Sequence, residues 1–285
     1  LLAEGNTVPF IARYRKEATG GLDDAQLRHI EERNTYLLEL AERKNAVLES
    51  IEEQGKLTDE LKQAILAADT KARVEDLYLP YKKRRKTKAD IAREAGLEAL
   101  EQQLIDDPSA DPETLAKAYL SEGFPDAKSA LEGARAILVD RFATDADLVG
   151  EVRDRVYSQG TMRSAVVEGK ETEGAKFADY FEFSEPFEKL PSHRILALLR
   201  GEAEGVLTLD MDPGEEAVYE GMIAERFDLP VKDSEWLAKA VRWGWRTKLQ
   251  VSANLDTRMR LQEKAEEGAL QVFKTNLRDV LLAAP

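Results

Sequence analysis

Cysteine is absent from the 285 residues, and histidine occurs only at His29 and His193. The lack of cysteine excludes disulfides and thiolate zinc sites, and it is typical of a reducing, intracellular compartment. Ser192 precedes His193, but the sequence offers no third group to orient such a pair for catalysis. Neither a P-loop nor a dinucleotide-binding pattern follows the glycines at 20 and 21. We therefore predict that the chain is not an enzyme and uses no metal and no cofactor.

Long apolar runs are also missing. No segment approaches the roughly 20 apolar residues that cross a bilayer, and residues 1–6 lack the layout of a signal peptide. We expect a cytoplasmic protein with no membrane partner. The first residue is not Met, so we also expect a truncated N-terminus.

Proline and aromatic residues are scarce, whereas apolar and charged residues are plentiful. The chain has 10 prolines, 7% aromatic, 43% hydrophobic and 34% charged residues, with a formal net charge of -14. This composition favours long helices with solvated faces. We predict an all-α fold, a multi-helix array with at most a minor β element.

Local signals predict where several helices begin. Asp23 with Gln26 forms a capping box before a long helix, and Thr58 is an N-cap for a shorter one. Asp111 and Pro112 start another helix after the clearest break in the chain. We predict three regions: an N-terminal helical region (1–106), a helix-turn-helix-like subdomain (107–170) and a C-terminal helical region (171–285).

One strand is predicted from Gly205 to a Pro-Gly turn at Gly214, with residues 164–167 as its best partner. The surrounding segment, 162–170, fits a wing or a connector, and we favour a connector. Asp210 and Asp212 alternate on the predicted strand, so both carboxylates could face one divalent metal. We favour polar residues entering a turn, because no second strand is predicted to supply further carboxylates.

Three tryptophans, Trp236, Trp243 and Trp245, lie close together in sequence. Such residues can stack on nucleobases, but more often they anchor helix packing. We favour packing. Trp243 and Trp245 are expected on different faces of a helix, so at most one of them is exposed.

Positive charge is concentrated in residues 82–88 of this acidic chain. The basic residues of this run are Lys82, Lys83, Arg84, Arg85, Lys86 and Lys88, and a weaker set comprises Arg13, Arg15 and Lys16. Cations this close repel one another unless an anion neutralises them. We favour contact with nucleic-acid phosphates. Pairing with an acidic surface, either within the chain or on another protein, and a plain solvated loop remain the alternatives.

Four segments resemble the Tex family of bacterial transcription accessory proteins. They are TVPFIARYRKEATGG (7–21), DLYLPYKKRRKTKADIAREAG (76–96), EGAKFADYFEFSEP (173–186) and PSHRILALLRGEAEGVL (191–207). They occur in order and extend over most of the chain.

The resemblance implies a mostly helical, cytoplasmic nucleic-acid-binding protein with a helix-turn-helix element. Members of the family continue into a ribonuclease H-like domain, a helix-hairpin-helix pair and an OB-fold RNA-binding domain. We expect this chain to end about where the ribonuclease H-like domain would begin, so activities that need the later domains are not carried over to it.

Two functions follow from the sequence. In the first, the two basic sets contact the phosphates of RNA or DNA without reading sequence, and binding by this chain alone is weak. In the second, the helices form a scaffold that positions nucleic-acid-binding domains and docks on transcription machinery.

Overall fold

The computed structural model describes residues 1–82 and 85–282. The chain divides into two compact units, Leu1–Lys83 and Arg84–Pro285. Both units are built mainly from helices, and the second also contains a small sheet, which confirms the predicted fold class. The predicted region boundaries after residues 106 and 170 remain predictions.

Helices account for most of the first unit. They are α1 (Val8–Tyr14), α2 (Lys16–Thr19), α3 (Asp24–Glu52), α4 (Asp59–Ala67) and α5 (Lys71–Tyr78). The predicted capping box begins α3: the Asp23 carboxylate accepts the Gln26 N–H, and the Gln26 side chain accepts the Asp23 N–H. The Thr58 hydroxyl caps α4 in a similar way. Both helix starts are therefore confirmed.

Two sets of contacts organise the first unit around α3. Near its start, Val8 and Ile11 of α1 pack with Leu27 in a small buried cluster. Near its end, hydrogen bonds between polar side chains connect α5 to α3. The Arg43 guanidinium donates to Glu75 at 3.1 Å, and the Ser50 and Tyr78 hydroxyls lie 2.9 Å apart.

The second unit is larger. Its helices are α6 (Lys88–Glu94), α7 (Glu98–Asp106), α8 (Pro112–Ala116), α9 (Ala127–Thr144), α10 (Ala146–Gln159), α11 (Ser192–Ala203), α12 (Glu216–Arg226), α13 (Glu235–Gly244) and α14 (Gln250–Leu282). Asp111 caps α8 with Pro112 in its first turn, as predicted. A π-helical turn, Trp245–Leu249, joins α13 to α14. The helix-turn-helix interpretation of α8 to α10 stays a prediction.

Helix α9 passes through the core of the second unit. Its residues Ala130, Ala134 and Ile137 are fully buried against residues of α6, α7 and α8. Gly133 lies on the same side, where an added Cβ would overlap Leu97 and come within 2.9 Å of Phe124. The glycine therefore permits a close approach, and a larger residue would require the Leu97 and Phe124 side chains to shift.

Three antiparallel strands form one sheet in the order β2-β1-β3. They are β1 (Thr161–Val166), β2 (Glu182–Pro186) and β3 (Leu207–Asp212). Ser164 pairs with Leu209, so the predicted partner of the predicted strand is confirmed. The preference for a connector at 162–170 is wrong, because residues 161–166 are the central strand of the sheet. The edge strand β2 was not predicted.

The long helix α14 changes its surroundings along its length. Ala253, Thr257, Leu261 and Ala265 are buried, whereas its apolar side chains from Leu270 onwards are exposed up to Leu282, the last described residue. Despite these apolar side chains, none of the described helices is long and apolar enough to cross a membrane.

Candidate nucleic-acid interface

Residues 82–88, termed here the basic segment, lie between the last turn of the first unit and the start of α6. A short 3₁₀ turn, Leu79–Tyr81, precedes it and contains Pro80. Lys82, Arg85 and Lys86 are exposed and lie outside helices, whereas Lys88 is the first residue of α6. Lys83 and Arg84, which we also predicted to contact phosphates, lie outside the described residues.

The start of the basic segment is held to the first unit by hydrogen bonds. Leu77 is buried, and the Tyr78 hydroxyl is paired with Ser50 of α3. The Gln54 amide donates to the Tyr81 carbonyl at 2.9 Å. Lys82 therefore follows directly after a folded part of its unit.

The end of the basic segment is fixed by the cap of α6. The Thr87 hydroxyl accepts the Asp90 N–H at 3.3 Å, and the Asp90 carboxylate accepts the Thr87 N–H at 2.9 Å. This reciprocal arrangement satisfies two N–H groups at the helix start. It sets the direction in which the backbone leaves Lys86 and enters Lys88.

Acidic groups neutralise part of the charge of the basic segment. The Lys86 ammonium lies 2.7 Å from the Glu94 carboxylate, with both side chains largely exposed. In the first unit, the hydrogen bond from Arg43 lowers the pKa of Glu75, and the charge of Lys82 contributes a smaller part of that shift. The repulsion expected from sequence is thus partly offset within the chain.

A groove of about 610 Å³ begins at the Lys88 end of the basic segment. Its lining comes from α6, α9, α13 and the π-helical turn. Ala89, Gly133 and Val139 are buried residues of this lining. Lys88 and Lys248 are exposed cations that also line it. The groove therefore combines buried apolar residues with exposed cations, and two acids, Glu132 and Asp140, also line it.

Trp243 and Arg135 form the most distinctive pair in the groove. The Arg135 guanidinium carbon lies 4.8 Å from the centre of a Trp243 ring, and 51% of the tryptophan is exposed. Helix α9 supplies the arginine and α13 the tryptophan. The sequence contains no signal for this pairing, because the residues belong to helices distant along the chain.

The other two tryptophans serve packing, as expected. Trp245 is fully buried and stacks on Tyr219 with ring centroids 4.1 Å apart and planes 2° from parallel. Trp236 is half-buried against the core around α9. The expected difference between the faces of Trp243 and Trp245 is present.

The second predicted basic set belongs to the first unit. Arg13 and Lys16 are exposed, while Arg15 pairs with Glu17 at 2.9 Å. The Arg13 guanidinium lies 6.0 Å from the centre of the exposed Tyr14 ring. This set therefore presents two exposed cations and one that is already paired.

Asp212, one of the two acids on β3, has structural partners. Asp212 accepts the Gly214 N–H at 2.9 Å in the turn and pairs with Arg163 on β1. The neighbouring strand thus supplies a cation to Asp212. Within residues 1–82 and 85–282, no group of three or more histidine, aspartate or glutamate residues is arranged to hold a metal.

The two histidines lie on the surface, and the serine beside one of them has a structural role. His29 and His193 are exposed. The Ser192 hydroxyl donates to the Lys264 carbonyl of α14 at 3.0 Å. It therefore connects α11 to α14.

Comparison with known protein families gives two matches. The model of the Tex-like protein N-terminal domain matches residues 1–52, and the Tex central region-like model matches residues 107–273. The second match alone extends over more than half of the chain. The chain belongs to the Tex family.

Two of the three relatives described next have names that refer to transcription or RNA. The chain is 54% identical over 293 residues to "Transcriptional accessory protein Tex" of Neisseria gonorrhoeae and 50% identical over 297 residues to "Protein YhgF" of Escherichia coli. It is 28% identical to human "S1 RNA-binding domain-containing protein 1". Each alignment covers the whole chain, which spans 38% of the two bacterial relatives and 30% of the human one.

The residues of the candidate surfaces are distributed over both ranges matched by the family models and the part between them. Arg13, Arg15 and Lys16 lie within the N-terminal domain match. The basic segment lies between the two matched ranges, whereas Arg135 and Trp243 lie in the central region. The candidate surfaces therefore draw on both matched regions and on the part between them.

Proposed function

We propose that this chain is a non-enzymatic helical part of a nucleic-acid-binding transcription accessory protein. Its basic segment contacts the phosphate backbone of RNA or DNA without reading sequence, and Arg13, Arg15 and Lys16 add a weaker contact. The observation that carries the proposal is the exposure of Lys82, Arg85, Lys86 and Lys88 in a chain of net charge -14. Phosphate contacts of this kind position a nucleic acid and add little specificity.

The proposal predicts binding that depends strongly on salt. Each phosphate contact releases condensed counterions, so affinity falls as salt rises. The acidic remainder of the chain repels nucleic acid, and this keeps binding weak at physiological ionic strength. The names of the bacterial Tex relative and the human relative support a role close to transcription and RNA.

Charge reversal in the basic segment tests the proposal. The Lys82→Glu/Arg85→Glu variant changes two exposed residues that do not line the groove. At low salt we expect about a tenfold or larger loss of affinity for single-stranded and duplex DNA and RNA alike. The slope of log affinity against log salt should fall by about one for each lost contact. Fluorescence anisotropy across a salt series measures both.

The matched control is Lys274→Glu/Arg278→Glu, which changes the net charge by the same amount at exposed positions of α14. It should retain most of the affinity. Equal losses in both variants would show that net charge, and not the basic segment, governs binding. Unchanged affinity in Lys82→Glu/Arg85→Glu would contradict the proposal.

A scaffold function is the second candidate. The pairing of Lys86 with Glu94 favours it, because this pair shows that a residue of the basic segment can bind a carboxylate. The exposed apolar side chains of α14 offer a further surface for a protein. Transcription proteins that remain bound to the chain after nuclease treatment would support the scaffold, whereas their loss would support binding through nucleic acid.

A further inference from the structure

We propose that the groove between α6, α9 and α13 is a site for single-stranded nucleic acid, in which an unpaired base stacks on Trp243. The inference rests on the proposed function and adds a second mode of contact to it. The basic segment binds phosphates in any strand, whereas this groove takes a base that has left its stack.

The exposure of Trp243 is the first argument. A large aromatic side chain left half in water loses stabilisation that burial would provide. Trp245, two residues later, is fully buried on Tyr219. The fold can therefore bury a tryptophan in this part of the chain, yet it leaves Trp243 in an open groove.

The Arg135 guanidinium is the second argument. Its position over the indole, at 4.8 Å, orders the ring from one side through a cation–π contact. A planar guanidinium can also stack on a base or bind a phosphate through two parallel hydrogen bonds. Base stacking on aromatic side chains together with arginine is a common construction in single-strand sites.

The charge of the groove is the third argument. Lys88, Lys248 and Arg135 line it together with two acids, Glu132 and Asp140. Asp140 is already paired with Arg93 at 2.9 Å, which leaves three cations to one acid. A backbone that passes along this lining would meet favourable charge on its way from the basic segment.

The size and composition of the groove fit a base better than a charged group alone. Its volume of about 610 Å³ lies in the range of small-molecule sites, and its buried lining residues are apolar. A base offers two apolar faces, while its sugar-phosphate carries the negative charge. In a duplex the faces of a base are covered by its neighbours, so stacking on Trp243 requires an unpaired strand.

Tryptophan fluorescence provides a direct measurement. A short oligothymidylate or oligouridylate should quench the emission of the exposed Trp243, while Trp245 stays shielded. A duplex of the same length should quench much less. The Trp243→Phe variant should lose the quenching but keep most of its affinity in an anisotropy assay, because the phenyl ring still stacks.

The decisive variant is Trp243→Ala. Loss of one stacking contact should weaken single-strand binding about 5- to 150-fold and change duplex binding by less than about twofold. Lys248→Glu is a second variant that leaves the indole in place. It should also weaken single-strand binding and keeps the test valid if Trp243→Ala fails to fold.

The two proposals fail in different ways. Unaltered single-strand affinity in Trp243→Ala, together with a loss in Lys82→Glu/Arg85→Glu, would overturn the groove site and leave the proposed function standing. A loss in Trp243→Ala with none in Lys82→Glu/Arg85→Glu would support the groove and overturn the role of the basic segment. Quenching by an acidic, aromatic-containing peptide but by no oligonucleotide would assign the groove to a peptide and overturn the proposal.

Discussion

The basic segment and the groove both contain cations, but the structural surroundings of these cations differ. In the basic segment, Lys82, Arg85 and Lys86 stand in water, outside any helix. In the groove, Arg135 projects from a helix whose other side is buried in the core, and its guanidinium rests on an aromatic ring. Exposed cations outside helices suit phosphates in any arrangement, whereas groups ordered by packing can select the shape of a ligand.

A combined variant tests whether the two regions bind independently, and we expect it to have the largest effect. If the two regions act independently, Lys82→Glu/Arg85→Glu with Trp243→Ala should multiply the separate losses, giving at least a 50-fold fall in single-strand affinity. Duplex affinity should fall only as far as the charge reversal alone lowers it. Anisotropy with matched single-stranded and duplex probes measures both.

A different result of the combined variant would contradict independent binding. A loss no larger than that of the stronger single variant would mean that the basic segment and the groove act as one site. The comparison between them would then be wrong.

Gly133 provides a way to disturb the groove without touching the basic segment. In Gly133→Ala, the new Cβ would meet Leu97 and Phe124, so we expect about 1–3 kcal/mol of destabilisation and a melting temperature lower by several degrees. Single-strand binding should weaken more than duplex binding. Thermal unfolding and anisotropy test the two statements.

Gly221→Ala is the matched control, because Gly221 is also helical and nothing lies within 4 Å of its added Cβ. It should leave stability unchanged or raise it by up to about 1 kcal/mol. A similar loss in both variants would contradict the packing argument.

The cap at Thr87 joins the basic segment to the helix that lines the groove. Thr87→Ala removes the hydroxyl that accepts the Asp90 N–H, and we expect a cost of about 1 kcal/mol. Thr87→Ser retains a capping hydroxyl and should lose less. Urea denaturation compares the two, and equal losses would show that the threonine methyl group, not the cap, matters.

Glu101, a buried acid with a raised pKa, and Glu75, a half-buried acid with a lowered pKa, should give opposite effects of pH. Burial raises the pKa of Glu101. Its carboxylate accepts a hydrogen bond from the Arg141 guanidinium at 2.7 Å. Its ionised form therefore costs stability, and this cost grows as pH rises through the raised pKa. Relative to the unmodified chain, Glu101→Gln should thus be more favourable at pH 8 than at pH 4.

Glu75 provides the control for the pH dependence expected of Glu101→Gln. The Arg43 hydrogen bond lowers the pKa of Glu75, so the ionised form adds stability that is lost as pH falls through the lowered pKa. Glu75→Gln should therefore be more destabilising at pH 8 than at pH 4. Urea denaturation curves at both pH values test the pair, and shifts of the same sign in both variants would contradict the assignment.

Much of the helical framework could be predicted because helix starts are local. Asp23, Thr58 and Asp111 act on N–H groups only three residues away, so their side chains identify the starts without tertiary information. Helical geometry also separates the faces of residues two positions apart, which is why the contrast between Trp243 and Trp245 was predictable.

The sheet was predicted only in part. The sequence of β3 alternates apolar and polar residues and is closed by a Pro-Gly turn, and its partner β1 was the best nearby candidate along the chain. Strand β2 instead carries two glutamates, a serine and a proline, which favour no strand by themselves. Its place was decided by hydrogen bonds to β1.

By itself, the sequence determined the helical framework, the concentration of charge at 82–88 and the likeness to Tex proteins. Only the tertiary structure decided that Arg135 lies over Trp243, that Lys88 lines a groove, and that Glu94 meets Lys86. The physical reason is the range of the interactions. Caps and charge runs depend on neighbours in the chain, whereas a groove exists only after distant helices have packed against one another.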